Sequence, residues 1–168
     1  DLYIDTFGGI LAGTYSGLCY YNVSTGKTTV LELEAGKTDF IITAIDYLKN
    51  GVWCVGSSTA FYYSYDGGQI WRKIDSISSI NTICFDDKNN AVVGTATGIY
   101  IVSFDFSKLG DGGDIHNAVT QITNLPGSSV DYDNNVKVVK VDEDGIMWAG
   151  TNSGVIRIDQ NSNKMLVG

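Results

Sequence analysis

Residues 136–159, VKVVKVDEDGIMWAGTNSGVIRID, decide how this chain is read. An alternating apolar and polar run, Val136 to Val141, leads into an acidic turn, Asp142-Glu143-Asp144-Gly145. A second apolar run ends in Trp148-Ala149-Gly150-Thr151, and after a small polar turn a third alternating run goes from Val155 to Asp159. Alternation with period two is the pattern of a half-buried strand, and Asp, Asn and Gly tolerate the left-handed backbone of tight hairpins. The stretch therefore reads as three short strands joined by two hairpins.

The same pattern recurs upstream. Small-residue turns after an apolar run stand at Gly13-Thr14-Tyr15-Ser16-Gly17, Gly56-Ser57-Ser58-Thr59-Ala60, Gly94-Thr95-Ala96-Thr97-Gly98 and Gly150-Thr151-Asn152-Ser153-Gly154. Their leading glycines are 43, 38 and 56 residues apart, the last interval holding an insertion. Each copy reads as four strands. Strand A is Leu2 to Asp5, Ile42 to Leu48, Asn81 to Phe85 and Val136 to Val141, and strand B is Ile10 to Gly13, Val52 to Gly56, Ala91 to Gly94 and Ile146 to Gly150. Strand C is Leu18 to Asn22, Phe61 to Ser64, Ile99 to Phe104 and Val155 to Asp159. Strand D is Thr28 to Leu33, Ile70 to Ile74, Ala118 to Ile122 and Lys164 to Leu166.

A four-stranded antiparallel unit repeated at about 40 residues is the signature of a β-propeller, whose blades bury their faces against one another. The fold class expected is all-β, with one propeller domain over 1–168 and blades at about 1–35, 40–75, 79–124 and 135–168. Four blades fit a four-bladed ring, half of a larger ring, or a piece of a longer propeller. The glycine closing strand B suits a crowded place where backbones approach, and Trp53 and Trp148 just before it are expected to fill the space between blades.

Composition agrees. Twenty glycines against one proline, with ten tyrosines, six phenylalanines and three tryptophans, describe many short strands and tight turns. The net charge of -8, from 19 acidic and 11 basic residues, argues against nucleic-acid partners, which need clustered Lys and Arg. No apolar run is long enough to span a bilayer, so membrane insertion by this segment is not expected. The chain begins at Asp1 without a signal-like segment and reads as a mature or excised piece of a longer protein. Cys19, Cys54 and Cys84 are odd in number, lack a CxxC and fall in strands, which predicts buried free thiols rather than disulfides or zinc.

In the second copy, Ser64-Tyr65-Asp66-Gly67-Gly68-Gln69-Ile70-Trp71 fits S-x-D-x-G-x-x-W. Asp66 is placed to accept backbone N–H bonds across a turn, Gly68 to supply a positive φ, and Trp71 to cover the hairpin, with Ser64 opening it. This run resembles the Asp-box (BNR repeat) of sialidases and related propellers, where it is a structural element away from the active site. The stretch from Val141 to Asp159 resembles the repeat of the two-component-regulator propellers, roughly D-x-x-G-x-Φ-W-Φ-G-T-x-x-G. Leu125-Pro126 and Ser128-Ser129 resemble that family's inter-blade loop. The resemblance implies an extracytoplasmic location, periplasmic or cell-surface, and a sensor or glycan-related binding role.

Catalytic material is sparse. The carboxylates fall mostly in turns: Asp86 and Asp87, Asp142 and Asp144, and Asp66. The single histidine, His116, lies in the insertion, and Arg72 and Arg157 lie in different copies, which gives a sialidase-like carboxylate clamp little to build on. Asp111-Gly112-Gly113-Asp114 and Asp131 to Asn135 carry oxygen ligands that suit calcium, but plain loop solvation is the expectation, and no metal or cofactor is predicted. A binding module leans ahead of an enzyme; a fragment of an Asp-box glycoside hydrolase and a protein-docking scaffold are the alternatives. Aromatic faces beside hydroxyl and amide groups suit a glycan or peptide, which places candidate ligand contacts at Tyr15, Phe40, Ser58, Thr97, Asn152 and His116, in the B–C and D–A loops and the insertion from Ser107 to Asp133. Flat apolar faces on the first and last blades predict self-association or further blades.

Overall fold

The structure, a computed structural model, describes residues 1–5, 8–48, 51–106, 117–122, 134–159 and 164–167. Among the described residues, sixteen strands fill four antiparallel sheets of four, each in simple chain order. The first sheet is β1 (Leu2–Ile4), β2 (Ile10–Thr14), β3 (Gly17–Asn22) and β4 (Lys27–Leu31). The second is β5 (Ile42–Tyr47), β6 (Trp53–Ser57), β7 (Phe61–Ser64) and β8 (Arg72–Ile74). The third is β9 (Ile80–Phe85), β10 (Ala91–Thr95), β11 (Gly98–Phe104) and β12 (Asn117–Ile122). The fourth is β13 (Val136–Val141), β14 (Met147–Thr151), β15 (Gly154–Asp159) and β16 (Lys164–Val167). These are the four expected four-stranded repeats, each boundary within a few residues of its sequence expectation. Two compact units result, Asp1–Ile83 and Cys84–Gly168, and are described separately.

One hairpin joins the first and second strands of every sheet. The amide at its first position, Asp5, Leu48, Asp86 or Asp142, donates to the carbonyl four residues on, at 2.8–3.0 Å. Its carbonyl in turn accepts from the amide three residues on, at Gly8, Gly51, Asn89 and Gly145. Those four residues all have positive φ, +82°, +102°, +65° and +75°, which is why only Gly and Asn occupy the position. Where the first residue is Asp, its Oδ1 accepts further amides: Asp5 that of Gly9, Asp86 those of Lys88 and Asn90, Asp142 those of Asp144 and Ile146. The turn aspartates thus hold hairpins in register.

Within Asp1–Ile83, Leu11, Leu18 and Leu33 pack against Ile42, Ile45, Val55 and Tyr62, the first sheet's face closing on the second's. Two ring pairs cross this boundary, Tyr3 with Tyr47 at 5.3 Å and Tyr20 with Trp53 at 5.7 Å. Gly13 is small for a reason: a Cβ there would overlap Ile42 Cγ2 and lie 3.0 Å from Ile45 Cδ1. Gly56 repeats the arrangement one sheet on, against Ile80. Within Cys84–Gly168, Val92 and Ile99 of the third sheet meet Val136, Val139, Met147, Ala149, Ile156 and Ile158 of the fourth. A fully buried Leu, Ile or Val contributes roughly 1.5–3 kcal/mol against about 1 for a turn hydrogen bond, so sheet-to-sheet cores carry the stability and turns set the register.

The two tryptophans behave differently. Trp53 packs between sheets as expected, but Trp148 is exposed, with its indole N–H donating to Asp142 Oδ2 at 2.7 Å. Trp53 stands three residues before its glycine and Trp148 two, and a one-residue difference sends a strand side chain to the other face. Cys54 and Cys84 are buried free thiols, whereas Cys19 is half-buried.

Candidate functional site

The turns between the second and third strands of each sheet share one design. A hydroxyl on the residue after the leading glycine donates to the carbonyl three residues on: Thr14 to Gly17 at 3.0 Å, Ser57 to Ala60 at 2.9 Å, Thr95 to Gly98 at 3.0 Å and Thr151 to Gly154 at 3.2 Å. The same oxygen accepts the amide two residues on, from Ser16, Thr59, Thr97 and Ser153 respectively. Gly17, Gly98 and Gly154 have φ near +130°, and Ala60 takes the equivalent place in the second copy. With the hydroxyl satisfying the turn from inside, the two residues at its tip carry no structural bond of their own side chains that all four copies need.

In the first three sheets, described residues at or after the fourth strand meet the tip turn of the same sheet. The Thr38 carbonyl lies against Gly17, the Ile122 carbonyl would stand 2.8 Å from a Cβ on Gly98, and the Ser58 carbonyl accepts the Ser79 amide at 2.9 Å. In each of these three sheets the tip turn thus lies beside the chain that follows the fourth strand or beside that strand's last residue.

The candidate residues fall out unequally. Tyr15 projects from the first tip and is 85% exposed. Ser58, Thr97 and Asn152 occupy corresponding exposed tips, with the Thr97 hydroxyl 3.2 Å from that of Thr95. Phe40 is half-buried and meets Tyr62 edge-on at 5.6 Å, so it serves the sheet-to-sheet packing more than the surface. His116, most of the 107–133 insertion and the calcium candidate at 111–114 lie outside the described residues.

Beside Phe40 lies a network no sequence pattern announced. Glu34 accepts from Lys37 at 2.7 Å, from Lys73 at 2.9 Å and from the Tyr62 hydroxyl at 2.9 Å. These donors, Lys37 foremost, hold the Glu34 carboxyl down to about 2. Burial, followed by the bond to Glu34, pushes the Tyr62 hydroxyl up to about 12, and Glu34 with Asp75 raises Lys73. The partners are 28 to 39 residues apart; only the Glu34-Lys37 spacing was a local signal. The network ties the first inter-sheet loop to the second sheet.

The turn at Ser64 to Trp71 is closed from within. Ser64 Oγ donates to Asp66 Oδ1 at 2.7 Å and accepts the Gly68 amide at 2.9 Å, while Asp66 Oδ1 also accepts the amides of Gln69 and Ile70. Burial works against charge on Asp66, but these bonds, with the Ile70 amide foremost, outweigh it and keep the carboxyl below its ordinary value. Gly68 has φ +83° and Trp71 packs on Trp53 at 6.4 Å. Arg72 lies over the Tyr65 ring at 4.0 Å and donates to its hydroxyl. Asp142 is likewise held below its ordinary value, first by the Trp148 indole and then by the Ile146 amide. Among the described residues no three His, Cys, Asp or Glu side chains gather as a metal ion would need.

No protein-family model matches this sequence, and no curated protein does. Solved structures do. The extracellular domain of BT4673 from B. thetaiotaomicron, described as a hybrid two-component system, superposes with a TM-score of 0.69 at 19% identity, over 92% of this chain and 20% of that one. The fold is a β-propeller. The propeller is also similar to a protein described as a gluconolactonase, with a TM-score of 0.69 at 13% identity over 98% of this chain and 61% of that one. Virginiamycin B lyase from Staphylococcus aureus gives 0.68 at 12% identity, over 98% of this chain and 53% of that one. At such identities the likeness is one of fold, and this propeller spans only about a fifth of the length of the BT4673 chain.

Proposed function

We propose that this propeller is a non-catalytic recognition module of an extracytoplasmic sensor, taking a glycan or peptide at the exposed tip turns of its blades. The observation that carries the reading is the shared hydroxyl-closed turn: four copies of one rigid frame display different exposed tip residues, Tyr15-Ser16, Ser58-Thr59, Ala96-Thr97 and Asn152-Ser153. An exposed phenol ring beside hydroxyl and amide groups suits a sugar face or a peptide backbone. Asp5, Asp66, Asp86 and Asp142 accept hydrogen bonds inside turns, an arrangement that suits structure better than proton transfer. The likeness to extracellular domains described as two-component systems supports the location and the sensor role.

Glycan-array and thermal-shift screening of the chain tests the reading, with Tyr15→Ala as the paired variant. A ligand that stabilises the parent should bind Tyr15→Ala about tenfold more weakly, the effect of losing one aromatic stacking contact. Equal binding by both proteins would put the ligand elsewhere, and turnover of the ligand would replace a binding module with an enzyme.

A further inference from the structure

Within Asp1–Ile83 the Glu34 cluster reaches both tip turns. Thr38, the neighbour of Lys37, sets its carbonyl against Gly17 of the first tip, and Thr59 of the second tip hydrogen-bonds the Tyr62 hydroxyl that donates to Glu34. One side of the Glu34 carboxylate is anchored, because Oε1 takes the hydroxyl of fully buried Tyr62 and the ammonium of Lys73, itself fixed by Asp75 at 2.9 Å. The other side is open. Oε2 accepts from Lys37 at 2.7 Å, has no second donor among the described residues, and the Lys37 side chain is 65% exposed. An ammonium group carries three N–H donors, and Lys37 directs only one to an acceptor among the described residues.

We propose that the Glu34-Lys37 pair is a sugar contact, taking two adjacent hydroxyls of an uncharged glycan, one donating to Glu34 Oε2 and the other accepting from Lys37 Nζ; this rests on the tip-turn reading above and names its ligand. Spacing favours a diol. Adjacent gauche hydroxyl oxygens on a sugar ring stand about 2.9 Å apart, set by the staggered C–C bond, close to the 2.7 Å between the two protein atoms. Chemistry favours it too, since a hydroxyl both donates and accepts, whereas a carboxylate only accepts. Lys37 and Lys73 are balanced by Glu34 and Asp75 on a chain of net charge -8, so the cluster has no surplus positive charge to hold an anion. Opening the pair costs little, because an exposed ion pair contributes little. Tyr15, on the tip that Thr38 touches, supplies an exposed ring face for the same ligand.

Isothermal titration of the 168-residue chain tests this, using neutral oligosaccharides selected on a glycan array, each beside a deoxy counterpart lacking one of the adjacent hydroxyls and a uronate-bearing one. Lys37→Ala and Glu34→Gln alter the pair, and Tyr15→Ala alters the tip. The parent should bind the neutral sugar, and each pair variant about tenfold more weakly. Removing the hydroxyl should weaken binding to the parent by a similar factor and leave the Lys37→Ala affinity nearly unchanged, the coupling expected of two groups in contact. Lys37 is exposed, so its removal tests binding apart from folding. Binding weakened by Tyr15→Ala but not by Lys37→Ala overturns the inference and leaves the tip-turn reading standing. Binding untouched by either overturns both, and binding weakened by Lys37→Ala alone supports the pair and removes Tyr15 from the site. Preference for the uronate, or no neutral glycan bound, also overturns the inference.

Discussion

Gly13 and Ile42 are packed so closely that a methyl group on the glycine would overlap the isoleucine Cγ2 and lie 2.9 Å from its Cβ. Neither Gly13 nor Gly56 has a positive φ, so the demand for glycine is one of space alone. Gly13→Ala and Gly56→Ala should each lower stability by about 1–3 kcal/mol, the cost of overpacking a tight core, measured by urea denaturation. Gly13→Ala combined with Ile42→Ala should lose less than the sum of the single losses. Strict additivity would show that the glycine is not held by this contact.

The hydroxyl-closed turns should be graded by burial. Ser57 and Thr95 are buried, and removing their hydroxyls leaves turn amides and carbonyls without a nearby substitute. Ser57→Ala and Thr95→Val should cost about 1–2 kcal/mol each. Thr14 is exposed, water replaces its bonds, and Thr14→Val should cost about 0.5 kcal/mol or less. A cost at Thr14 equal to that at Thr95 would contradict this ordering.

Tyr15 and Phe40 should separate binding from folding. Tyr15→Ala touches an exposed tip and should change stability by no more than about 0.5 kcal/mol. Phe40→Ala removes a half-buried ring from Tyr62 and the first core, and should cost about 2 kcal/mol. Thermal melts without ligand decide this, and a Phe40→Ala protein as stable as the parent would return that residue to the candidate ligand contacts.

Acid should expose the Glu34 network. Its carboxyl is depressed from the ordinary 4.5 to about 2 in the folded chain, so its stabilising effect is complete above pH 4.5 and is lost as pH falls toward 2. Glu34→Gln should therefore melt at a lower temperature than the parent at neutral pH, with the gap narrowing between pH 4.5 and 2. A gap that stays constant over that window would mean that the carboxylate is not the stabilising species.

Much of the fold was legible because its signals are local. Alternation located the strands, and the requirement for positive φ at Gly8, Gly51, Asn89 and Gly145 marked the hairpins. The repeated Gly-Thr or Gly-Ser pair marked the turns between second and third strands. What escaped depended on facing and distance. Trp148 resembled Trp53 in composition but stood one residue out of step, so it faces the open side of its sheet. Phe40 looked like a surface aromatic because its partner, Tyr62, is 22 residues away and signals nothing in advance. The Glu34 network, assembled across two blades, was invisible for the same reason.

The hydroxyl-closed turn has one more consequence. Because the serine or threonine at its base closes the turn in all four copies, the frame of each tip does not depend on one particular pair of tip residues. The closing device is therefore repeated while what it displays is not. Tyr15-Ser16, Ser58-Thr59, Ala96-Thr97 and Asn152-Ser153 are four different pairs held by one kind of turn.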